Sequence, residues 1–137
     1  MDTALRNQIV AHFSNGQLLK GVTNDFLPHK DQFHVTPAEA PPGARPVEVR
    51  VAELKALFFV KAFGGKPGYK DRQEFEPGKV VSGRKIRVVF KDGERLIGTT
   101  QGYQPGRAGF FVIPADPQSN VDRCFVVSGS TTEVAFL

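Results

Sequence analysis

The amino-acid sequence predicts an all-β protein made of two tandem five-stranded units, and two observations support this prediction. The first is an internal repeat. Residues 9–37 recur without a gap as residues 86–114, at an offset of 77 positions. A repeat of this length indicates that one structural unit has been duplicated. The second is a series of short apolar segments separated by Gly, Pro, Asn and Asp, a pattern typical of small sandwiches and barrels.

The repeat keeps the residue types that turns and apolar cores require. The identical pairs, 77 positions apart, include Phe13 and Phe90, Gly16 and Gly93, Leu19 and Leu96, Gly21 and Gly98, Thr23 and Thr100, Pro28 and Pro105, Phe33 and Phe110, Val35 and Val112, Pro37 and Pro114, Val49 and Val126, and Phe59 and Phe136. A chain of 137 residues with 12 Phe leaves each unit small but rich in large apolar side chains. We therefore expect the two units to pack together and share a core.

Alternation of apolar and polar residues predicts five strands in each copy. In the first copy they are expected near residues 9–13, 19–23, 33–35, 47–51 and 56–62, with a 3₁₀-like turn at 52–55. In the second copy they are expected at residues 85–90, 95–100, 109–113, 123–127 and 133–137. Gly and Pro predict a connector at 64–84, between a first unit at 1–63 and a second at 85–137. Residues 1–8 are expected to form a polar arm or one helical turn.

Glycines mark two kinds of position in each copy. Asn15-Gly16 predicts a three-residue hairpin loop with Gly in the left-handed conformation, and the second copy has Asp-Gly at the same place. We expect this loop to pair Phe13 with Leu19, so that both face the core. Gly21 and Gly98 lie inside strands, where glycine indicates a bulge, a sharp bend or a close backbone approach.

Each copy resembles the first half of an Sm-like motif, in which an apolar strand residue, an Asn/Asp-Gly turn, an apolar residue, a Gly and an aromatic residue follow in order. The matching residues are Phe13, Asn15-Gly16, Leu19, Gly21 and Phe26 in the first copy, and Phe90, Asp92-Gly93, Leu96, Gly98 and Tyr103 in the second. The whole chain also resembles an uncharacterised bacterial family of duplicated small β-barrels. The resemblance implies two Sm-like or SH3-like barrels packed together.

The nucleic-acid pocket of the Sm proteins is not part of the resemblance. RNA-binding Sm proteins have an Asp six residues after the motif Gly and an Asn ten residues after it. The first copy has Leu27 and Asp31 at those positions, and the second has Gln104 and Ala108. The resemblance therefore implies the Sm scaffold without its uridine-binding pocket, and a shared scaffold does not imply a shared function.

The sequence offers no constellation typical of an enzyme, a metal site or a cofactor site. His12, His29 and His34 align with Val, Gly and Phe in the other copy, so none is expected to be a metal ligand. Cys124 is the only cysteine and has apolar neighbours, which predicts a buried thiol without a nucleophilic role. We therefore expect a non-enzymatic protein that needs no cofactor.

The basic balance of the chain is compatible with an anionic partner, but the simpler interpretation is that the basic residues are solvated charges that flank β-strands and protect their edges. The formal net charge is +4, and Lys30 and Arg107 occupy the same position of the repeat, in loops that follow equivalent prolines. Basic side chains near an aromatic ring can neutralise and stack on a nucleic acid or nucleotide. The candidate anion-binding residues are Lys30, Arg107, Arg45, Arg50, Lys70, Arg72 and Tyr103.

The predicted function is a non-enzymatic binding or adaptor module in bacterial regulation, with another protein as its partner. Small barrels expose strand edges that can accept a peptide strand, and residues 47–51 and 123–127 are the candidate docking edges. The alternative is nucleic-acid or cyclic-nucleotide binding through a basic face that includes Lys30 and Arg107. The single cysteine and the absence of a long apolar run predict a cytoplasmic location without membrane contact.

Overall fold

The computed structural model describes residues 7–137 and confirms the all-β prediction. The first copy contains β1 (Asn7–Phe13), β2 (Leu18–Thr23), β3 (Gln32–Pro37), β4 (Val47–Arg50) and β5 (Leu54–Val60). The second copy contains β6 (Arg84–Phe90), β7 (Arg95–Thr100), β8 (Gly109–Pro114), β9 (Val121–Val127) and β10 (Thr131–Phe136). A 3₁₀ turn precedes the last strand of each copy, at Val51–Glu53 and Ser128–Ser130. The predicted arm lies outside the described residues, except that Asn7 and Gln8 belong to β1.

The ten strands form one antiparallel sheet in the order β10-β6-β7-β8-β9-β5-β1-β2-β3-β4. Each copy has the same internal order, because its fifth strand pairs with its first and the first four strands follow in sequence. The two copies join where β5 pairs with β9. Within residues 7–137 the sheet does not close, and β10 and β4 are its two ends. No helix in this part of the chain is long and apolar enough to cross a membrane.

Strands β5 and β9, which join the two copies, contribute side chains to two apolar cores, since successive side chains of a strand point to opposite faces. Leu57 of β5 and Phe125 of β9 lie in the core of the first copy. The adjacent Ala56 and Val126 lie in the core of the second copy. All four side chains are fully buried. Each copy therefore contributes side chains to the core of the other.

The first hairpin has the predicted three-residue loop but a different register. The N–H of Phe13 donates to the carbonyl oxygen of Gln17 over 2.9 Å, so the predicted pairing of Phe13 with Leu19 is wrong. The loop begins directly after Phe13 because the side-chain oxygen of Asn15 accepts a hydrogen bond from the N–H of Gln17. Gly16 then takes the left-handed conformation, with φ of 92°. The equivalent turn of the second copy has the same hydrogen bonds.

The glycines inside β2 and β7 allow a close backbone approach, one of their three predicted roles. A Cβ atom on Gly21 would lie 2.3 Å from the carbonyl oxygen of Thr36. A Cβ atom on Gly98 would lie 2.1 Å from the carbonyl oxygen of Ile113. Any side chain at either position would force the second and third strands of that copy apart.

The connector between the copies is fixed to the second copy by a buried carboxylate, Asp116. This side chain accepts hydrogen bonds from the backbone N–H groups of Arg72 and Gln118, both over 2.8 Å, and from the hydroxyl of Tyr69. The N–H of Arg72 and the Tyr69 hydroxyl hold the pKa of Asp116 well below its usual range. Asp116 therefore caps its own turn and anchors the connector.

Candidate functional site

The two basic residues that the repeat singles out line one cleft. Lys30 comes from the β2–β3 loop of the first copy, and Arg107 from the β7–β8 loop of the second. Arg50, at the end of β4, lines the same cleft, whose volume is about 870 Å³. The cleft exists because the pairing of β5 with β9 sets the two copies side by side, with their equivalent loops facing a shared space.

The cleft carries an excess of positive charge. Its three cations are accompanied by one carboxylate, that of Asp31, and by His29. Among the ion pairs within residues 7–137, none involves Lys30, Arg50 or Arg107. These charges are therefore available to an anion without breaking a salt bridge in the described part of the chain.

The floor of the cleft is part of the folded cores. Phe125 and Val127 belong to the core of the first copy, and Phe110 belongs to the core of the second. These core side chains are already packed before a ligand enters. A preorganised floor reduces the ordering that binding requires.

The remaining predicted site residues lie elsewhere. Arg45 is in the β3–β4 loop, and Lys70 is exposed on the connector. Arg72 is also on the connector, where its guanidinium lies 3.5 Å from the buried carboxylate described above. Tyr103 packs edge-to-face on Phe110, with ring centroids 4.8 Å apart, and does not line the cleft. The fold thus brings together three of the seven predicted residues.

A second cavity, of about 480 Å³, contains an ion cluster that the sequence does not reveal. The ammonium group of Lys55, on β5, bonds to Asp92 over 2.7 Å and also to Glu94, both in the β6–β7 turn of the other copy. Burial lowers the pKa of Lys55, but these carboxylates outweigh burial and raise it. The repeat equivalents of all three residues are uncharged, so comparing the copies could not identify this link.

Three other titratable groups that the sequence raised, Cys124, His34 and His12, have structural roles. Cys124 is fully buried, as predicted, and burial raises the pKa of its thiol. The ring of His34 lies 2.7 Å from the carboxylate of Asp25. Burial of His12 lowers its pKa, and its ring packs on that of Phe58 at a centroid distance of 4.4 Å. These groups therefore support the fold and lie outside the cleft.

The two candidate docking edges differ. Residues 123–127 belong to β9, which pairs with β8 on one side and β5 on the other. The prediction of a free edge there is wrong, because this strand joins the two copies. Residues 47–50 form β4, which within residues 7–137 pairs only with β3. Of the two predicted docking edges, only the one at residues 47–51 therefore corresponds to an open edge within residues 7–137.

The fold and the cleft define a class of protein: an all-β chain whose ten strands form one sheet, with the same strand order in both halves and a basic cleft where the halves meet. The chain belongs to a family of unknown function, DUF6982, whose model matches residues 5–137. This match confirms the predicted membership of an uncharacterised family. Comparisons with curated proteins and with solved structures found no match. The function must therefore be argued from the geometry of the cleft.

Proposed function

We propose that this protein is a non-enzymatic binding module that takes a phosphate-bearing ligand, a nucleotide or a nucleic acid, in the cleft between its two copies. The supporting observation is the convergence of Lys30, Arg50 and Arg107 on one cleft. A guanidinium group binds phosphate through two parallel hydrogen bonds, and a lysine binds it as a point charge. The cleft volume of about 870 Å³ falls within the roughly 300–1,000 Å³ of small-ligand sites.

The duplication itself supports a site that needs both copies. Lys30 and Arg107 are repeat equivalents, so each copy supplies one cation from the same loop. The third cation, Arg50, has no basic counterpart, because its equivalent is the buried Val127. Neither copy alone contains all three charges, and the ligand would contact the two copies at once.

Binding is tested by thermal stabilisation with nucleoside phosphates and cyclic dinucleotides, and by retardation of single-stranded RNA and DNA. A ligand at about 100 times its Kd stabilises the folded state by about 2.7 kcal/mol. We expect saturable binding that is abolished in Lys30→Glu/Arg107→Glu. The matched control is Arg45→Glu/Lys70→Glu, which makes the same charge change outside the cleft and is expected to bind normally.

Two results would contradict the proposal. Equal loss in both variants would mean that the overall charge of the chain, and not the cleft, attracts the ligand. An affinity no better than a Kd of about 10⁻⁴ M, at the weak end of ordinary non-specific binding, would make the basic cleft incidental. Salt separates the two ligand classes, since a nucleic acid that contacts several phosphates loses affinity much more steeply with salt than a mononucleotide does.

The second candidate function is that of an adaptor in bacterial regulation, which binds another protein. Its support is the outer edge of β4, where Val47 is 43% exposed and the main chain is open to an added peptide strand. Glu48→Pro would remove a backbone donor from this edge, because Glu48 lies opposite His34, whose own N–H donates to Asp25 and not to β4. We expect a specific partner to be retained by the wild type and lost by this variant. Equal retention by both would place docking elsewhere.

The strand order supports the finer structural proposal that each copy is a small barrel of the Sm-like or SH3-like kind. Both copies contain five strands with the same pairing order, and each copy has an apolar core that is completed by one strand of the other copy. We place the protein in the cytoplasm because its single cysteine is buried and cannot form an internal disulfide.

A further inference from the structure

The contact between β5 and β9 is a contact between equivalent units. It joins the fifth strand of the first copy to the fourth strand of the second. The two ends of the sheet are the complementary pair: β4 is the fourth strand of the first copy, and β10 is the fifth strand of the second. A second molecule could therefore pair its β4 with β10 of the first and repeat the internal contact. Contacts of this head-to-tail kind generate rings or filaments.

The offset of 77 positions predicts the register of such a contact. Within the chain, Ala56 lies opposite Val126 and Leu57 lies opposite Phe125. Their equivalents on the outer edges would place Glu133 opposite Val49 of the second molecule, and Val134 opposite its Glu48. The offset therefore assigns facing residues to the internal contact and to the outer contact alike.

Two positions that are apolar and fully buried at the internal contact are carboxylates on the outer edges. Ala56 is fully buried in the core of the second copy, and its equivalent is the exposed Glu133. Phe125 is fully buried in the core of the first copy, 5.0 Å from the ring of Phe26, and its equivalent is the exposed Glu48.

We infer that Glu48 and Glu133 close the outer strand edges to a second copy of the chain, so that the assembly stops at two units. Adding a molecule would bury the carboxylate of Glu48, which has no ion pair within residues 7–137, and would remove water from the exposed ion pair of Glu133 with Arg87, whose atoms lie 3.2 Å apart. Both changes are unfavourable. Inward-pointing charges and proline are devices that protect sheet edges, and Pro46 immediately precedes β4. The ion cluster that links β5 to the β6–β7 turn also has no charged equivalent at the outer edges.

The test is to restore the internal residues at the outer edges. Glu48→Phe/Glu133→Ala gives β4 and β10 the side chains found at the internal contact. The matched control, Glu39→Phe/Glu74→Ala, makes the same substitutions at exposed loop positions. Molar mass is measured by light scattering during size exclusion, at protein concentrations from about 5 to 200 μM. This range extends below and above a Kd near 10⁻⁵ M, which corresponds to a binding free energy of about −7 kcal/mol. Circular dichroism checks folding.

We expect the wild type and the control to remain monomeric, and the edge variant to form concentration-dependent oligomers. A wild type that already self-associates, or a folded edge variant that stays monomeric, overturns the inference. So does equal association of the control, which would indicate general stickiness. If the double variant does not fold, Glu48→Phe and Glu133→Ala are mixed as separate proteins. The mixture supplies one corrected edge on each chain, and failure to form a heterodimer overturns the inference.

Discussion

Phe125→Ala tests the claim that the two copies are one cooperative structure. Phe125 is fully buried and lies on β9 of the second copy, but its ring packs in the core of the first copy, against Phe26 at 5.0 Å and Phe111 at 5.2 Å. Replacing a buried Phe with Ala costs about 3–5 kcal/mol, and each aromatic pair accounts for about 0.5–1.5 kcal/mol beyond area burial. We expect a loss near 4 kcal/mol, because no neighbouring strand can move inward without breaking the β5–β9 pairing.

The loss is measured by urea denaturation at pH 7, with circular dichroism and intrinsic tyrosine fluorescence as separate probes. The control is Phe136→Ala, which removes a ring that is 39% exposed and is expected to cost about 1 kcal/mol. Both probes should report one transition, since both cores share β5 and β9. A loss below about 1 kcal/mol for Phe125→Ala, or two separate transitions in the wild type, would refute the shared-core account.

Three further predictions concern single contacts. Gly98→Ala should destabilise the protein by about 1–3 kcal/mol, the usual range for overpacking, because the new Cβ meets a carbonyl oxygen at 2.1 Å; an unchanged urea midpoint would contradict this. Asp116→Asn should destabilise the protein most at neutral pH. The folded pKa of Asp116 is lowered, so its contribution is present above the unfolded pKa of about 3.9 and is lost as the pH falls through the folded pKa. A difference between wild type and variant that is the same at pH 7 and pH 2 would contradict this. Lys55→Met should cost about 1 kcal/mol, since the carboxylate partners are more than half exposed, and 1 M salt should reduce the difference; a larger loss in salt would oppose the electrostatic explanation.

The repeat made the local structure predictable. Strand positions, the loop lengths of the first hairpins and the roles of Gly21 and Gly98 follow from residue types that act over a few neighbours. The predicted register of the first hairpin is wrong because the side chain of Asn15 fixes where the loop begins. The apolar pattern contains no information about that hydrogen bond. The pairing of β5 with β9 could not be predicted, since each strand has apolar side chains on both faces and such a pattern does not specify which strand is its partner.

The repeat distinguishes only two of the three cations that line the cleft. Lys30 and Arg107 stood out because both copies keep a cation at that position. Arg50 was one of several scattered cations, and only the packing of the copies places it beside the other two. Arg72 looked equally available in the sequence, but the buried Asp116 engages it. Sequence pattern reports which side chains are charged, whereas folding decides which of these charges remain available to a ligand.

We propose that the cleft between the two copies binds a phosphate-bearing ligand. The most direct measurement compares the wild type, Lys30→Glu/Arg107→Glu and Arg45→Glu/Lys70→Glu in one titration series with nucleoside phosphates, cyclic dinucleotides and single-stranded RNA and DNA. We expect saturable binding by the wild type and by the Arg45/Lys70 variant, and none by the Lys30/Arg107 variant. Binding that survives in the Lys30/Arg107 variant, or that falls equally in both variants, would contradict it.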